Sequence, residues 1–160
     1  MHNILVFTIN EQLFGFNVLQ IKEIDDSRSY FVVPKSDKSI RGILNIRGQI
    51  ITIFDLRQIF GWDATTLTGS TKNIIFKTEH ETEFLNTEYQ LHTSNDVFGF
   101  MVEKICDIEN VSDDSIQPPP ANVDRISKEY ITGVVELKEG ILTLLDVEKL
   151  IENREMGNGN

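Results

Sequence analysis

The feature of the sequence that most restricts its fold is an internal duplication. Two fifteen-residue segments recur without gaps and in the same order, namely 12–26 as 96–110 and 42–56 as 133–147. The identical pairs are Phe14/Phe98, Gly15/Gly99, Phe16/Phe100, Val18/Val102, Ile21/Ile105 and Ile24/Ile108, then Gly42/Gly133, Ile50/Ile141, Thr52/Thr143 and Asp55/Asp146. A slip of one residue turns the side chains of a strand to its other face, so Phe14 and Phe98 are expected at equivalent inward-facing positions. The same is expected of Ile50 and Ile141.

Each copy has the local pattern of strands joined by tight turns. Short apolar, β-branched and aromatic runs bounded by glycine, asparagine or charge are typical of strands. They cover 4–9, 13–18, 43–46, 50–54, 97–102, 134–137 and 141–145. Hairpin turns are expected at Asn10-Glu11, Arg47-Gly48 and Lys138-Glu139-Gly140, where glycine and asparagine accept positive φ. Asp55 and Asp146 follow strands and open amphipathic stretches, so we interpret both as helix caps rather than catalytic acids.

One copy of the repeat is too small to form a stable hydrophobic core alone, so the two copies are expected to bury apolar faces against each other. We place the copies at roughly residues 1–68 and 69–152, and exchange of segments between them stays open. Residues 153–160, rich in glycine and asparagine, are expected to form a flexible tail.

One long segment breaks the symmetry between the copies. A short Asn-Glu turn joins the opening strands of the first copy, whereas residues 78–96 separate the corresponding strands of the second. This segment is acidic but also contains four large apolar residues. Because residues 89–93 alternate apolar and polar side chains, we predict a hairpin arm in which they pair with residues 97–102.

Charge and cysteine content exclude several classes of partner. Lys and Arg number 15 against 25 Asp and Glu, a net charge of −10, and a surface of that sign repels nucleic acid and anionic lipid. The single cysteine, Cys106, permits no internal disulfide and is typical of a reducing compartment. No stretch reaches the roughly 18 apolar residues that span a bilayer, and no export signal is recognised. We therefore expect a cytoplasmic protein without direct membrane insertion.

Catalytic, cofactor-binding and metal-binding patterns are not recognisable. The three histidines lack the spacing of metal ligands, and the acidic stretch 79–83 is more simply a solvated loop. A metal-dependent enzyme using that stretch is the alternative from a different class. Cys106 lies in an apolar run, which favours a buried, inert thiol over a nucleophile. The sequence therefore predicts a protein that is not an enzyme and carries no cofactor or metal.

A cluster around one turn is the candidate site. It consists of Gly42, Asn45, Arg47, Gly48, Asp55 and Arg57. At such a turn the Arg47 guanidinium is either a solvated side chain or a fixed donor fork aimed at a carboxylate or a partner. The pattern alone favours neither interpretation.

Residues 42–60, GILNIRGQIITIFDLRQIF, resemble the signature of the CheW-like chemotaxis coupling proteins, G-x-x-N-L-R-G-x-[VI]-x-P-[VI]-x-D-L-R, with Ile46 and Thr52 in place of its leucine and proline. Supporting matches in the family's order lie at 4–24, 116–120, 129–134 and 141–151. The resemblance implies an all-β fold of two five-stranded Src-homology-type barrels packed around a shared core. Short helices should follow Asp55 and Asp146.

The resemblance also implies a noncatalytic adaptor. Family members join the regulatory domain of a CheA-type histidine kinase to the cytoplasmic tips of chemoreceptors, and meet the membrane only through receptor arrays. An adaptor of a chemosensory-like pathway controlling surface motility or gene expression is the alternative within this fold. The implied partner-binding residues are Ile21, Glu23, Gly42, Asn45, Arg47 and Gly48, together with Ile74, Ile75, Ile105 and Ile108 on the receptor side. The 78–96 segment would either block or add a contact surface.

Overall fold

The computed structural model of the chain describes residues 1–83, 91–121, 126–152 and 154, so of the predicted tail only Arg154 is included. Its strands are β1 (His2–Ile9), β2 (Gln12–Asn17), β3 (Ile21–Asp25), β4 (Ile40–Ile46), β5 (Gln49–Asp55), β6 (Lys72–Phe76), β7 (Phe98–Val102), β8 (Lys104–Val111), β9 (Ile131–Leu137) and β10 (Gly140–Leu145). The helices are α1 (Leu56–Ile59), α2 (Glu79–Thr82) and α3 (Val147–Ile151), and 3₁₀ turns lie at Val18–Gln20, Asp113–Ser115 and Lys128–Tyr130. Within the described residues no helix is long and apolar enough to cross a membrane.

The strands form two five-stranded sheets with the same internal pairing. One has the order β8-β1-β2-β10-β9 and the other β3-β6-β7-β5-β4. In each, the middle strand is antiparallel to one neighbour and parallel to the other. Phe14 lies opposite Thr143, and Phe98 lies opposite Thr52. Since the two threonines are also counterparts in the repeat, the predicted equivalence of the copies and the all-β fold are confirmed.

Each sheet takes strands from both halves of the sequence. The first sheet combines β1 and β2 with β8 to β10, and the second combines β3 to β5 with β6 and β7. The chain crosses between sheets after β2, through the 3₁₀ turn Val18–Gln20, and again after β7, at Glu103. The sheets therefore do not coincide with residues 1–68 and 69–152, and the exchanged strands tie the two sheets together.

The main core cluster draws side chains from both sheets. Its centre is formed by the paired phenylalanines of β2 and β7, each at most 1% exposed, which are Phe14, Phe16, Phe98 and Phe100. The rings of Phe16 and Phe100 stack with centroids 5.6 Å apart. Burial of one such side chain is worth about 1.5–3 kcal/mol, so the duplicated aromatic pairs hold the sheets together.

Ile50 and Ile141, the second pair predicted to face the core, face outward instead. Ile50 lies opposite Asn45 and Ile141 lies opposite Glu136, so the two isoleucines are equivalent in register. However, Ile50 is 41% exposed and Ile141 is 51% exposed. The prediction that both face inward is therefore wrong. Side chains alternate along a strand, and in both strands it is the next residue that is buried.

The predicted hairpin turns and helix caps are confirmed. Asn10 and Glu11 have φ of 55° and 64°, and Gly140 has φ of 142°. The Asp55 carboxylate accepts a backbone N–H of α1 at 3.1 Å, and the Asp146 carboxylate accepts one of α3 at 3.1 Å. Both aspartates thus act on the unpaired donors at a helix start.

The 78–96 segment begins with a helical turn rather than a strand. Thr78 caps α2 in a capping box with Glu81. Residues 91–93 belong to no strand, and both edges of β7 are already occupied by β5 and β6. The predicted hairpin arm is therefore wrong for these residues, because β7 has no free edge to pair with. The rest of the predicted arm, within 84–90, lies outside the described residues.

Candidate partner-binding site

The turn between β4 and β5 has a defined geometry. Arg47 and Gly48 have φ of 52° and 84°, the two positive values that a two-residue type I′ hairpin requires. The side-chain oxygen of Asn45 accepts the Gly48 N–H at 3.0 Å. A left-handed conformation costs a non-glycine residue roughly 1–2 kcal/mol, so the surrounding hairpin must hold Arg47 in place. The turn therefore presents its arginine from a fixed backbone.

The Arg47 side chain crosses to the edge strand β3. Its Nη2 donates to Oε2 of Glu23, and the side chains are 72% and 25% exposed respectively. Of the two interpretations left open by the sequence, the structure shows the donor aimed at a carboxylate. An exposed ion pair contributes only about 0–1 kcal/mol to folding. Its main effect is to hold an accessible guanidinium at a defined place between β3 and the hairpin.

Gly42 allows a loop to lie close against β4. A Cβ at this position would be 2.7 Å from the carbonyl oxygen of Phe31 and 2.9 Å from Cβ of Tyr30. Phe31 and Ile43 exchange two backbone hydrogen bonds of 2.9 and 2.8 Å. The glycine is therefore needed for the shape of the site rather than for contact with a partner.

A polar network centred on the buried Asn73 side chain of the neighbouring strand β6 supports the end of β3. The Tyr30 hydroxyl donates to Oδ1 of Asn73 at 2.6 Å, and Nδ2 of Asn73 donates to Asp25 at 3.0 Å and to the Ser27 carbonyl at 2.9 Å. Burial raises the pKa of Tyr30 to about 12, which keeps the hydroxyl protonated as a donor. The network fixes the strand that carries Glu23.

Two of the predicted contact residues are core residues. Ile74 and Ile75 are 0% exposed, and their strand β6 lies between β3 and β7. Because both faces of β6 are covered, neither side chain can touch a partner in this conformation, which corrects the expectation that they line the receptor side. They instead support β3, where Ile75 lies opposite Glu23 and Ile74 lies opposite Ile24.

Other isoleucines near the two sheet crossings do reach the surface. Ile21 and Ile105 are partly buried against the main core, whereas Ile108 is 53% exposed. Ile24, the counterpart of Ile108 in the repeat, is 42% exposed and follows Glu23 directly, and Ile50 is exposed just after the Arg47 turn. Sequence reasoning missed Ile24 and Ile50 as surface residues. The repeat contained the signal for Ile24, since its partner Ile108 was already a candidate.

Two further members of the predicted cluster serve the end of α1. Asp55 is 2% exposed and accepts hydrogen bonds from the backbone and hydroxyl of Thr65 at 2.8 and 2.7 Å. Arg57 donates to the Asp63 carbonyl at 2.7 Å and pairs with Glu103 at 3.2 Å. Asp55 therefore stabilises the start of α1 and the loop at Thr65, whereas Arg57 ties the helix to Glu103 at the second sheet crossing.

A second exposed apolar surface, which we call the Phe31 patch, lies on the loop after β3. Phe31 is 76% exposed and Val32 is 71% exposed. The surrounding segment 28–41 has a single carboxylate, Asp37, within a chain of net charge −10. Its cations are Arg28, Lys35, Lys38 and Arg41. Sequence reasoning assigned no role to this patch, because a short apolar run does not show whether its side chains are buried or exposed.

The acidic stretch 79–83 is not assembled around an ion. Its side chains have separate partners: Glu79 pairs with His92 at 3.0 Å, His80 with Glu83 at 3.5 Å, and Glu81 with Lys22 at 3.5 Å. Among the described residues no group of three or more His, Cys, Asp or Glu could hold a metal ion. Cys106 is exposed, so its predicted burial is wrong: its strand β8 forms the edge of a sheet.

The repeat, the exchanged strands and the Asn45 to Gly48 turn agree with one family. The model of the CheW-like domain matches residues 3–155. The chain belongs to the CheW-like domain family. Its relatives include the chemotaxis protein CheW of Treponema pallidum (strain Nichols), 28% identical over 153 residues that cover 96% of this chain and 84% of the relative. The resemblance found in the sequence is therefore confirmed.

Two further comparisons support this membership. The chemotaxis protein CheW of Klebsiella aerogenes is 28% identical over 152 residues, which cover 95% of this chain and 82% of that protein. The crystal structure of the scaffolding protein TtCheW from Thermoanaerobacter tengcongensis has a TM-score of 0.79 at 23% identity, over 97% of this chain and 91% of that one. The structural match shows that the CheW-like fold is shared.

Proposed function

We propose that this chain is a noncatalytic, cytoplasmic scaffold of chemotaxis signalling that couples chemoreceptor tips to a CheA-type histidine kinase. The observation that carries the proposal is the Arg47 guanidinium, held by Glu23 on an exposed hairpin within the CheW-like signature. Arg47 is 72% exposed at its side chain and projects from a turn whose backbone is fixed. Arginine is among the residues enriched in binding hot spots.

A protein that couples two partners needs two separate surfaces. The receptor tip is assigned to the surface of Arg47 and Glu23, where a turn and an edge strand can receive a helical hairpin. The regulatory domain of the kinase is assigned to the Phe31 patch, which presents Phe31 and Val32 beside the edge of β4. Exposed apolar side chains rimmed by polar residues are typical of a protein–protein contact.

The test is co-sedimentation with membranes that carry a chemoreceptor. Arg47→Ala should weaken binding at least tenfold, since loss of a hot-spot side chain costs about 2 kcal/mol or more. The matched control is Lys138→Ala, because Lys138 is exposed at the corresponding turn of the other copy. Both variants should keep the melting temperature of the parent chain. Unchanged binding by Arg47→Ala, or an equal loss in Lys138→Ala, would count against the proposal.

A further inference from the structure

A cavity of about 290 Å³ opens beside the crossing from β2 to β3. Its apolar lining includes Ile4 and Leu144 from the first sheet, and Glu148 at the start of α3 adds a carboxylate. Leu91 and His92 of the 78–96 segment form part of its wall. Pockets for small ligands usually measure about 300–1,000 Å³, so this one suits a single side chain.

The wall contributed by the 78–96 segment is held by several hydrogen bonds. Glu79 accepts the Thr93 N–H at 2.7 Å and pairs with Nδ1 of His92 at 3.0 Å. The Glu79 N–H donates to the Ser94 carbonyl at 2.7 Å. Gln20, at the sheet crossing, donates through Nε2 to the His92 carbonyl at 3.0 Å. This end of the segment is therefore a formed part of the fold.

The polar lining of the cavity includes a primary amide and two carboxylates. The amide is that of Gln20, which is 5% exposed and donates through Nε2 to the His92 carbonyl. Asp146 and Glu148 add two carboxylates, of which Asp146 also caps α3. On the opposite side, His2 is engaged with Asp113.

The electrostatic field at the cavity already favours positive charge. The hydrogen bond to Glu79, followed by the charges of Glu79, Glu148 and Asp146, raises the pKa of His92. Carboxylates close enough to stabilise an imidazolium also stabilise another cation at the same place. Apolar side chains combined with carboxylates and an amide oxygen match a donor-rich cation on an aliphatic stem.

We propose that this cavity binds the end of a lysine or arginine side chain of a protein partner. The aliphatic stem lies against Ile4 and Leu144, and the ammonium or guanidinium group donates to Glu148 and to the Gln20 side-chain oxygen. The site goes beyond the coupling surfaces described above, because its lining comes from the first sheet, the start of α3 and residues 91–92 rather than from the Arg47 turn or the Phe31 patch.

The experiment is an NMR titration of the full chain, with ¹⁵N label, using the peptide acetyl-Gly-Lys-Gly-amide. The matched probe is the same peptide with norleucine, which keeps the aliphatic stem and removes the charge. The lysine peptide should produce saturable shifts of the Gln20 side-chain amide and of the His92 and Glu148 backbone amides, in the millimolar range expected of so small a ligand. The norleucine peptide should bind at least tenfold more weakly.

Two variants identify the group that binds the cation. Glu148→Gln should weaken the lysine peptide severalfold, whereas Glu139→Gln, an exposed change on the β9–β10 turn, should not. Equal binding of both peptides, no saturable shift at these amides, or full affinity in Glu148→Gln would overturn the proposal. Titration with n-butylammonium distinguishes a free amine from a protein side chain as the ligand. If the cavity bound n-butylammonium but not the lysine peptide, the ligand would be a free amine and the proposal would be overturned. None of these outcomes depends on the kinase or the receptor.

Discussion

The glycines between the duplicated phenylalanines provide a sharp test of the two-sheet architecture, because the same substitution meets different neighbours in the two copies. At Gly99 an added Cβ would lie 2.7 Å from the backbone oxygen of Ile74 and 2.8 Å from the Ile75 side chain. At Gly15 it would lie 2.3 Å from the Cγ2 methyl of Ile4 and 3.3 Å from the Cδ1 methyl of Leu142. The nearest obstacle is thus a backbone oxygen in one copy and a side-chain methyl in the other.

These contacts predict the order of the effects. Overpacking a core costs about 1–3 kcal/mol and occasionally more. A carbonyl of β6 cannot move away from Gly99 without loosening its pairing with β7, so Gly99→Ala should destabilise the chain by about 3 kcal/mol. The Ile4 methyl can move by a change of χ1, which is restricted in a β-branched residue but leaves the backbone pairing in place, so Gly15→Ala should cost about 1–2 kcal/mol. For a chain of this size each kcal/mol lowers the melting temperature by roughly 2–4 °C.

Urea denaturation of the parent chain and the two variants measures these costs directly. The midpoint should fall further for Gly99→Ala than for Gly15→Ala, with the dependence of the unfolding free energy on urea unchanged. Gly48→Ala is a useful comparison, since nothing lies within 4 Å of its added Cβ although φ is positive. Parent-like stability of Gly99→Ala, or a greater loss in Gly15→Ala, would refute the packing argument.

Phe31→Ser should leave the melting temperature within about 1 °C of the parent, because a largely exposed side chain contributes little to folding. The same change should reduce capture of the kinase regulatory domain at least tenfold. Retained capture would contradict the assignment of the Phe31 patch. NMR titration should place the pKa of His92 above its ordinary value of 6.5, owing to the hydrogen bond that its ring N–H donates to Glu79, and Glu79→Gln should lower it. The contribution of the His92–Glu79 pair to the free energy of unfolding is fully present below the ordinary histidine pKa and is lost as pH rises through the raised pKa of His92. Because the His92 side chain is 43% exposed, this contribution amounts to only a few tenths of a kcal/mol. No change in the His92 pKa on Glu79→Gln would show that the pair is not formed.

The repeat predicted the core better than it predicted the surface. Phe14 and Phe98 could be assigned to equivalent inward positions because large aromatic identities in strands usually face a core. Ile50 and Ile141 follow the same rule in sequence but lie on the outer face near hairpin tips, and identity alone does not reveal the face. The sequence left open whether strands are exchanged between the sheets, because pairing over long separations leaves no local pattern.

In the candidate site, too, some features could be predicted from the sequence and others could not. The Arg47 turn and its Asn45 cap were predictable, since tight-turn chemistry is local. The pairing of Arg47 with Glu23 joins an edge strand to a hairpin tip, and its geometry depends on closure of the second sheet. The burial of Ile74 and Ile75 depends on β6 lying between two strands, which only the assembled sheet reveals.

The most direct test of the central claim is a three-component sedimentation assay. Receptor-containing membranes, the kinase and this chain are mixed, and the kinase recovered with the membranes is measured with and without the chain. Coupling predicts that kinase recovery requires the chain, that Arg47→Ala abolishes recovery of both soluble proteins, and that Phe31→Ser leaves the chain on the membranes but releases the kinase. Equal kinase recovery in the presence and absence of the chain would contradict a coupling role.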